Sequence, residues 1–365
     1  MKKFIIISKR QYMQKDLLDD QYGRFWEIPE ELSHSGFYVQ GICLSYKKKQ
    51  SGIIYTKPVK WESVNLGPFI FPGLIKYLGR IYHEIKKTDI VFAASDSIYG
   101  IIGYFFARYH KKKIIFDLYD NFEANFFAKL PIIKQLYKYA VRQSDIVICI
   151  SDPLKNLIES YGRKANTFVI ENAIPDNKFY PMEKKKCRNH FNLPNDAIII
   201  GTAGALTKGR GIKFLFRAFE TIKKDYDNIY LAIAGPRDSS IPIDKRIIDL
   251  GILHYDDIPI FINTLDIAII CNIKSEFGRF CFPQKAYEIM ACDIPIVSAN
   301  VGSMEIFFSN YPEWLYQWDS PEALTKVIRN RLKDKRTDYK ILPTWNIISE
   351  KIKQIISKNL NSASL

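Results

Sequence analysis

The chain has 365 residues, of which 47% are hydrophobic and 25% charged, a composition that excludes a disordered protein and suggests two domains. Its formal net charge is +14, and residues 1–170 hold 26 Lys and Arg against 16 Asp and Glu. A basic half favours an anionic partner, such as a phosphorylated substrate, a lipid surface or nucleic acid. A solvated lysine surface is the alternative explanation of the same charge.

Cysteine spacing and apolar run lengths limit the cellular setting. The six cysteines form no CxxC pair and no zinc-finger spacing with histidine, which indicates a reducing, cytoplasmic protein. The apolar run at residues 4–7 is too short for a signal peptide and predicts a first buried strand. No apolar run reaches the ~18 residues that span a bilayer, so we expect any contact with the inner face of the plasma membrane to be peripheral.

Short apolar runs alternate with longer amphipathic runs through the first half of the chain. In several of the short runs, the residues at odd and at even positions are both apolar, which is typical of strands in a parallel sheet covered on both faces. The alternation predicts a doubly wound α/β domain. The predicted strands are 4–8, 37–44, 90–94, 113–118, 146–150 and 167–170, and the predicted helices include 73–87, 99–110 and 132–143.

This alternation of strand and helix patterns stops at residues 171–192, a polar segment with two prolines that we predict to be a linker. It restarts with predicted strands at 197–203, 230–234, 265–271 and 294–298. We therefore expect two Rossmann-like, doubly wound domains, at 1–175 and 176–344, facing a central cleft. A helix in 345–365 is expected to pack back on the first domain. Ligands of open α/β sheets bind at the carboxyl ends of the strands.

A glycine-rich turn, GALTKGRG at residues 204–211, follows one predicted strand and precedes a helical segment. Lys208 and Arg210 carry positive charge, and the backbone N–H groups of Gly209, Arg210 and Gly211 are expected at a helix N-terminus, which attracts anions. The predicted ligand of this turn is a phosphate or diphosphate. The turn fails the P-loop pattern, because Arg210 and Gly211 replace its lysine and hydroxyl. A plain glycine turn with two solvent-facing cations is the alternative.

A second informative stretch runs from residue 275 to 307. It predicts a loop, a helix at 284–292, a strand, and a turn at Gly302 and Ser303. Lys285 and Glu288 are spaced i, i+3 and share a helical face. Lysine suits a phosphate, and a carboxylate suits a sugar diol that donates two hydrogen bonds. An ordinary surface ion pair is the alternative.

The segment YEIMACDIPIVSANVGSMEIF resembles the second half of the C-terminal signature of the family 4, or group 1, glycosyltransferases of GT-B fold. Four further segments and the glycine turn resemble other parts of that family in the same order: QYGRFWEIPEELSHSGFYV, DIVICISDPLKNLI, VIENAIPDNKFYP and LAIAGP. The resemblance implies a retaining transfer of a sugar from a nucleotide-diphosphate-sugar to an acceptor hydroxyl. It also implies no metal or other cofactor, because cations at the diphosphate replace the metal.

The resemblance places the donor on the second domain. It implies that Glu288 binds the ribose diol and that Arg210 stabilises the leaving diphosphate, with Lys208 or Lys285 as the candidate replacement for a second phosphate cation of the family. Two positions depart from the family: Ala205 stands where it has an arginine, and Phe280 where it has a glutamate. Glu276 is the candidate replacement, unless that sugar contact is lost. The full set of expected donor contacts is Gly204, Lys208, Gly209, Gly211, Gly235, Tyr255, Glu276 and Ser303.

The resemblance places the acceptor on the first domain. Tyr119 and Asp120 lie where the family has a histidine, and Asp120 is a candidate to orient the acceptor hydroxyl or act as a base. Capping of the following helix is the alternative for Asp120. Gly23 and Arg24 are candidate contacts to the diphosphate or acceptor, with an ion pair as the alternative for Arg24.

Segments 67–87 and 108–113 mix aromatic residues with Lys and Arg. They predict a surface for anionic lipid, which suits a glycan or lipid-linked acceptor in cell-surface polysaccharide synthesis; a core-facing helix is the alternative. Nucleic acid is not expected, because no recognition pattern accompanies the charge. A noncatalytic binding protein of this fold and a nucleotide-sugar 2-epimerase are the alternative functions.

Overall fold

The structure is a computed structural model that describes residues 1–12, 15–124, 127–238, 241–337, 339 and 342–360. The chain divides into two compact units. Unit 1 comprises Met1–Asn172 and the C-terminal segment from Trp345, and unit 2 comprises Ala173–Thr344. Each unit is built on one mainly parallel sheet.

The sheet of unit 1 has eight strands in the order β10-β9-β8-β7-β1-β4-β6-β5. Every neighbouring pair is parallel except β5 with β6, and β2 and β3 form a separate antiparallel hairpin. The strands are β1 (Lys3–Lys9), β2 (Gln11–Tyr12), β3 (Lys15–Asp16), β4 (Tyr38–Ser45), β5 (Gly52–Tyr55), β6 (Lys60–Asn65), β7 (Ile90–Ala93), β8 (Lys113–Leu118), β9 (Ile146–Cys149) and β10 (Thr167–Val169).

Helices connect these strands and cover the sheet. The central strands are buried on both faces, as Ile5, Ile6 and Ile115 illustrate with at most 2% exposure. Side chains cap two helices: Asp96 accepts from backbone N–H groups of α3, and Ser151 from one of α5. The helices are α1 (Arg24–His34), α2 (Ile70–Ile85), α3 (Ser97–Tyr109), α4 (Pro131–Gln143) and α5 (Asp152–Ser160).

The sheet of unit 2 has six parallel strands in the order β13-β12-β11-β14-β15-β16. Its strands are β11 (Ile198–Ala203), β12 (Ile229–Ala234), β13 (Ile247–Asp249), β14 (Ile267–Ile270), β15 (Ile296–Ala299) and β16 (Leu315–Tyr316). Its helices are α6 (Lys184–His190), α7 (Ile212–Ile222), α8 (Asp257–Thr264), α9 (Lys285–Ala291), α10 (Ser303–Phe307) and α11 (Pro321–Lys333). The predicted pair of Rossmann-like α/β domains is confirmed.

The last helix, α12 (Trp345–Leu360), belongs to unit 1, where it packs against α1. Its apolar stripe of Trp345, Ile348, Ile352 and Ile356 is buried at 1–2% exposure. Within the part of the chain that the structure describes, no helix combines the length and apolar character that crossing a bilayer requires.

The secondary structure differs from the sequence prediction in several places, among them the short strands β2, β3, β13 and β16, which were not predicted. The edge hairpin β5–β6 was not predicted either, because β5 is half-exposed and β6 carries polar residues. The prediction of a linker over 171–192 is wrong in its second half, where α6 forms. Arg188 on α6 is 3% exposed and donates a 2.8 Å hydrogen bond to Asp266. It also donates to the carbonyl oxygens of Thr264, Asn195 and Ala197, so a buried network holds this charged segment in unit 2.

Both sheets contain a point at which the strand order reverses. In unit 1, β1 lies between β4 and β7; in unit 2, β11 lies between β12 and β14. The loops that leave the first strand and its neighbour diverge there to opposite faces, which opens a crevice at the carboxyl edge of the sheet. Three of the candidate residues of unit 2, Gly204, Gly235 and Lys285, meet at the ends of β11 and β12 in this crevice.

Candidate functional site

The carboxyl ends of β11 and β12 meet through two glycines. Gly204 donates its backbone N–H to the carbonyl oxygen of Ala234 at 2.9 Å. A side chain at Gly235, which has φ of 132°, would place its Cβ 2.0 Å from the carbonyl oxygen of Gly204. Only glycine allows this approach, so the pair leaves the strand ends open to a ligand.

Lys285 reaches this strand end from the start of α9. Its Nζ donates a 2.7 Å hydrogen bond to the carbonyl oxygen of Ala203, the last residue of β11. A Cβ at Gly204 would lie 3.2 Å from the same Nζ, so the glycine provides the space for the lysine. Removal from water, together with the nearby charge of Arg210, lowers the pKa of Lys285 to about 8.

Arg210 lies beside Lys285 and is held by a loop that follows β14. Its guanidinium carbon lies 4.2 Å from the centre of the Phe277 ring, and its Nη1 lies 3.9 Å from Cys281 Sγ. Stacking on an aromatic ring fixes the plane of a guanidinium without neutralising it. Among the described residues, no carboxylate lies within ion-pair distance of either Arg210 or Lys285. Two adjacent cations with no carboxylate at ion-pair distance form a site for an anion.

Glu288 lies one turn further along α9 from Lys285 and is 6% exposed. It accepts a 3.1 Å hydrogen bond from Gln284 Nε2, which orients one carboxylate oxygen. The charge of Glu288 acts on Lys285, where it partly offsets the lowering of the pKa by burial and by Arg210. A phosphate-binding cation and a diol-binding carboxylate are therefore neighbours on one helix.

The glycine turn itself differs from the prediction in how it uses its backbone. Residues Lys208–Arg210 form a 3₁₀ turn, in which Arg210 N–H donates to Thr207 and Gly211 N–H to Lys208, both at 3.0 Å. The expectation that these two amides hold a phosphate is wrong, because the turn consumes them. Gly211 has φ of 75° and begins α7, and a Cβ there would lie 2.7 Å from Ile273.

The remaining predicted donor residues lie at differing positions. Lys208 and Gly209 are exposed, and Lys208 N–H donates to the carboxylate of Asp238. Glu276 is exposed on the loop that carries Phe277. Tyr255 contacts a different part of unit 2, where Lys178 Nζ lies 3.8 Å from its ring centre.

Ser303 contributes indirectly, through the loop below Arg210. It is 5% exposed and donates a 2.9 Å hydrogen bond to the carbonyl oxygen of Cys281. A Cβ at Gly302 would lie 2.4 Å from the carbonyl oxygen of Arg279, so the turn before α10 packs closely on this loop. The turn therefore positions the loop that presents Phe277 and Cys281 to Arg210.

Sequence reasoning did not identify the residues that shape this loop. Asn272 is 2% exposed and donates a 3.1 Å hydrogen bond to the carbonyl oxygen of Gly278. A Cβ at Gly278 would lie 2.0 Å from the carbonyl oxygen of Ile273. The available signal was Asn272 two residues after the buried strand β14, with Gly278 further along the same loop, because asparagine and glycine are typical of tight, functional loops.

In unit 1, Arg24 forms an ion pair, which the sequence analysis gave as the alternative to a ligand contact. Its guanidinium donates to both oxygens of Asp117, with the shortest contact at 2.6 Å, and to the carbonyl oxygens of Ile170 and Glu171. Arg24 is 5% exposed and Asp117 is 0% exposed. Each of the three guanidinium nitrogens donates a hydrogen bond within unit 1, which agrees with the ion-pair alternative, and a contact to the diphosphate or acceptor stays a prediction.

The other first-domain candidates lie around a group of aromatic rings. Gly23 precedes α1 with φ of 75°. Tyr119, directly after β8, packs edge-on against Phe25 at 4.7 Å, and burial raises its pKa. Asp120 is half-buried, and its Oδ1 accepts the N–H of Asn121 at 2.7 Å, a local turn contact. Among the described residues, no three His, Cys, Asp or Glu side chains come together in a group that could hold a metal ion.

Two family models match the chain. The model described as "Glycosyltransferase Family 4" matches residues 25–178, and the model described as "Glycosyl transferases group 1" matches residues 197–334. The first falls almost wholly in unit 1 and the second in unit 2, where it contains Gly204, Arg210, Lys285 and Glu288.

Individual proteins resemble the chain more distantly. The capsular polysaccharide biosynthesis glycosyltransferase CapM of Staphylococcus aureus is 23% identical over 223 residues, which are 56% of this chain and 57% of the relative. The chain thus spans about half the length of the curated relatives that it matches. Among solved structures, sucrose-phosphate synthase from Thermosynechococcus elongatus has a TM-score of 0.80 at 17% identity, with 100% of both chains covered. Anabaena HepE in complex with UDP has a TM-score of 0.70 at 14% identity, with 98% of this chain and 95% of that chain covered.

Proposed function

Because the chain belongs to the family 4 glycosyltransferases of GT-B fold, we propose that it transfers a sugar from a nucleotide-diphosphate-sugar to an acceptor hydroxyl. In this reaction the bond between the sugar C1 and the diphosphate oxygen breaks, and a bond between C1 and the acceptor oxygen forms. The hydroxyl proton leaves with the diphosphate or passes to water. The observation that carries the proposal is the pair of cations at the β11 strand end, Arg210 and Lys285.

The proposed role of this pair is to bind the diphosphate and stabilise the charge that it gains as the sugar departs. Two fixed cations in a partly dehydrated crevice stabilise such charge more than they would in water. Glu288 is proposed to accept hydrogen bonds from the ribose hydroxyls, because a carboxylate can accept two donors at once. The UDP bound to HepE, a protein with the same fold, supports a nucleoside diphosphate as the first ligand to test.

We further propose that the reaction needs no metal and retains the anomeric configuration. The support for metal independence is that Arg210 and Lys285 already supply two positive charges where a metal would otherwise neutralise the diphosphate. The support for retention is the resemblance of the chain to a retaining family. The acceptor is proposed to be a glycan or lipid-linked glycan of cell-surface polysaccharide synthesis, as the capsular function in the name of CapM suggests.

An exposed surface on α2 supports a peripheral encounter with anionic lipid. Helix α2 buries Tyr77 and Ile81 but leaves apolar side chains in solvent on its outer side. We call this surface the α2 outer face; it comprises Phe69, Ile70, Phe71 and Ile75, at 57–79% exposure, with the exposed Lys76. Lys86 and Lys87 are exposed beyond the other end of the helix. Exposed apolar side chains beside lysines suit a membrane interface, where each cation near an anionic surface adds roughly 1 kcal/mol.

Calorimetry with UDP, GDP, ADP and CMP on the full chain tests the donor site. We expect one diphosphate to bind, and Arg210→Ala to weaken it at least tenfold, because a charged hydrogen bond contributes roughly 1.5–3 kcal/mol. Arg217→Ala is the matched control, because Arg217 is an exposed arginine on the neighbouring helix α7. Absence of binding by all four nucleotides at millimolar concentration would contradict the proposal. Binding without turnover of the matching nucleotide-sugar would favour a noncatalytic binding protein.

A further inference from the structure

Unit 2 contains a cavity of about 230 Å³ beside α9. Tyr287 and Met290 line it. At about 3.6 residues per turn, their common face of the helix lies opposite the face that carries Lys285 and Glu288. The other walls are mainly aromatic and include Phe307, Phe308, Tyr311 and Trp314. All of these residues belong to unit 2, so the cavity lies within one compact unit.

Contacts between aromatic rings fix the walls of the cavity. The ring of Tyr311 is stacked on that of Trp314, with centres 4.2 Å apart and an angle of 10° between the planes. Phe308 packs edge-on against Trp314 at 5.7 Å, and Phe307 packs edge-on against Tyr287 at 5.5 Å. Protein interiors have few voids larger than a water molecule. Here the walls are held by their own contacts, so the cavity stays open for a ligand.

One polar group in the wall has no hydrogen-bond partner. Trp314 is 1% exposed, and its Nε1–H meets no acceptor in the described part of the chain. Tyr311 is stacked on the indole ring, and the guanidinium carbon of Arg331 lies 4.5 Å from the ring centre. Because these two groups cannot share one face, both faces of the ring are covered. The ring therefore lines the cavity with its edge, where an indole carries its N–H.

A buried donor without an acceptor is a feature that a ligand can satisfy. An indole N–H can donate but cannot accept. Leaving a buried donor unpaired costs free energy, and an oxygen placed in the cavity would recover it. Trp61 and Trp345 also have a buried N–H without an acceptor among the described residues, but neither lines this cavity. Of these three residues, only Trp314 combines the unpaired N–H with the cavity.

The size and chemistry of the cavity define the class of ligand. An apolar cavity of roughly 150 Å³ holds a benzene molecule, so about 230 Å³ has room for a ring with a short substituent. Aromatic walls favour an aromatic ring, which packs edge-on or offset against them. The unpaired N–H favours a ligand with an acceptor oxygen. A sugar fits less well, since each of its hydroxyls would need a partner in a mainly apolar wall.

We propose that this cavity binds a small aromatic compound that carries a carbonyl oxygen. The ring of the ligand packs among Tyr287, Phe307 and Phe308, and its oxygen accepts a hydrogen bond from Trp314 Nε1. The site is separate from the donor crevice, because it borders the other face of α9. The inference does not rest on the proposed function, and its test uses no nucleotide.

NMR of the indole N–H signals of the full chain tests the proposal, with acetophenone as the probe. The chain has five tryptophans, and the signal of Trp314 is the one that disappears in Trp314→Phe. We expect acetophenone to move this signal downfield in a saturable way, because the N–H gains an acceptor. α-Methylstyrene, in which a methylene group replaces the carbonyl oxygen, should not cause that shift. If Trp314→Phe does not fold, phenylalanine variants of the other four tryptophans identify the signal by elimination.

Affinities give a second readout that a structural role of Trp314 would not produce. The ratio of acetophenone affinity to α-methylstyrene affinity should fall at least fivefold in Trp314→Phe, because only the ketone loses a hydrogen bond. Trp345→Phe is the matched control and should keep the wild-type ratio, since Trp345 is equally buried and its N–H is also unpaired among the described residues. The inference is overturned if acetophenone does not bind the wild type, if it binds without moving the Trp314 signal, if the ratio is unchanged in Trp314→Phe, or if methyl glucoside moves that signal instead.

Discussion

Lys285 Nζ donates a 2.7 Å hydrogen bond to the carbonyl oxygen of Ala203, a residue 82 positions earlier in the chain. The bond joins the start of α9 to the end of β11 and places an ammonium group against Gly204. It leaves Lys285 beside Arg210 with burial and like charge both opposing its ionisation. An ion of opposite charge relieves this situation, so the same contact that positions Lys285 makes the site selective for anions.

Lys285→Met should change stability in a pH-dependent way. The pKa of Lys285 in the fold, about 8, is below the ordinary 10.5, so its positive charge destabilises the fold below pH 8. That cost disappears as the pH rises towards 10.5, because the residue then becomes neutral in both states. The free energy of unfolding of Lys285→Met minus that of the wild type should therefore be larger at pH 7 than at pH 10, by on the order of 1 kcal/mol. Thermal unfolding at the two pH values measures it.

Two controls accompany the Lys285→Met measurement. Lys213→Met removes an exposed lysine on α7 and is the matched control for the loss of a lysine side chain. Lys285→Met should also weaken nucleoside diphosphate binding at least tenfold. An equal stability difference at pH 7 and pH 10 would show that Lys285 carries no electrostatic strain.

Glu288→Gln should reduce discrimination between ribose and deoxyribose. An amide accepts hydrogen bonds more weakly than a carboxylate, so we expect the affinity for the ribonucleotide to fall roughly fivefold to tenfold. Affinity for the 2′-deoxynucleotide should change less, because one of the two donors is already absent. Calorimetry of both ligands measures the difference, with Glu305→Gln, an exposed glutamate of α10, as the control. Equal losses for the two ligands would assign Glu288 a structural role.

Gly235→Ala should disrupt the strand end, since the added Cβ would lie 2.0 Å from the carbonyl oxygen of Gly204 and the residue has φ of 132°. Backbone must move to relieve a contact of this kind, and we expect a loss of about 2 kcal/mol or more. Gly209→Ala is the matched control, because its Cβ would meet only Thr207 Oγ1, at 3.9 Å. Gly235→Ala should lower the unfolding temperature and weaken nucleotide binding. Gly209→Ala should change neither.

Arg24→Met should destabilise unit 1 by about 3–5 kcal/mol, because it leaves the buried carboxylate of Asp117 without its partner. The double variant Arg24→Met with Asp117→Leu should recover much of that loss, since neither charge then remains buried. Denaturant unfolding that follows a probe in unit 1 measures both. Nucleotide binding by unit 2 should be unchanged at temperatures where the variant is folded, and a loss there would support a ligand role for Arg24.

Replacing the α2 outer face should reduce lipid binding. We expect Phe69→Ser with Phe71→Ser to shift the protein from vesicles to solution in a flotation assay with 30% anionic lipid, because each phenylalanine contributes roughly 1.5–3 kcal/mol when buried. Ile252→Ser is the control, since Ile252 is 73% exposed in unit 2. Wild-type protein that fails to float with anionic vesicles would remove the support for a peripheral membrane encounter.

Much of the fold could be predicted from local pattern. The strand at 113–118 and the helix that ends at residue 143 occur as predicted, because runs such as Ile114 to Phe116 are apolar on both faces and have few other ways to be buried. Where burial depends on distant partners, prediction failed. Helix α6 has the composition of a charged linker, and it is ordered by buried contacts of Arg188 with Asp266 and with three backbone carbonyl oxygens, which the local pattern does not show.

By itself the sequence determined the fold class, the family and the types of residue near the donor crevice, since periodicity and motif spacing are local properties of the chain. Only the tertiary structure decided how each of these residues is used. It paired Arg24 with Asp117 and used two amides of the glycine turn within a 3₁₀ turn. It also placed Arg210 and Lys285 where, among the described residues, no carboxylate lies within ion-pair distance of them. The physical reason is that charge, burial and hydrogen bonding are set by neighbours in space, and Ala203 and Lys285 become neighbours only when the sheet forms.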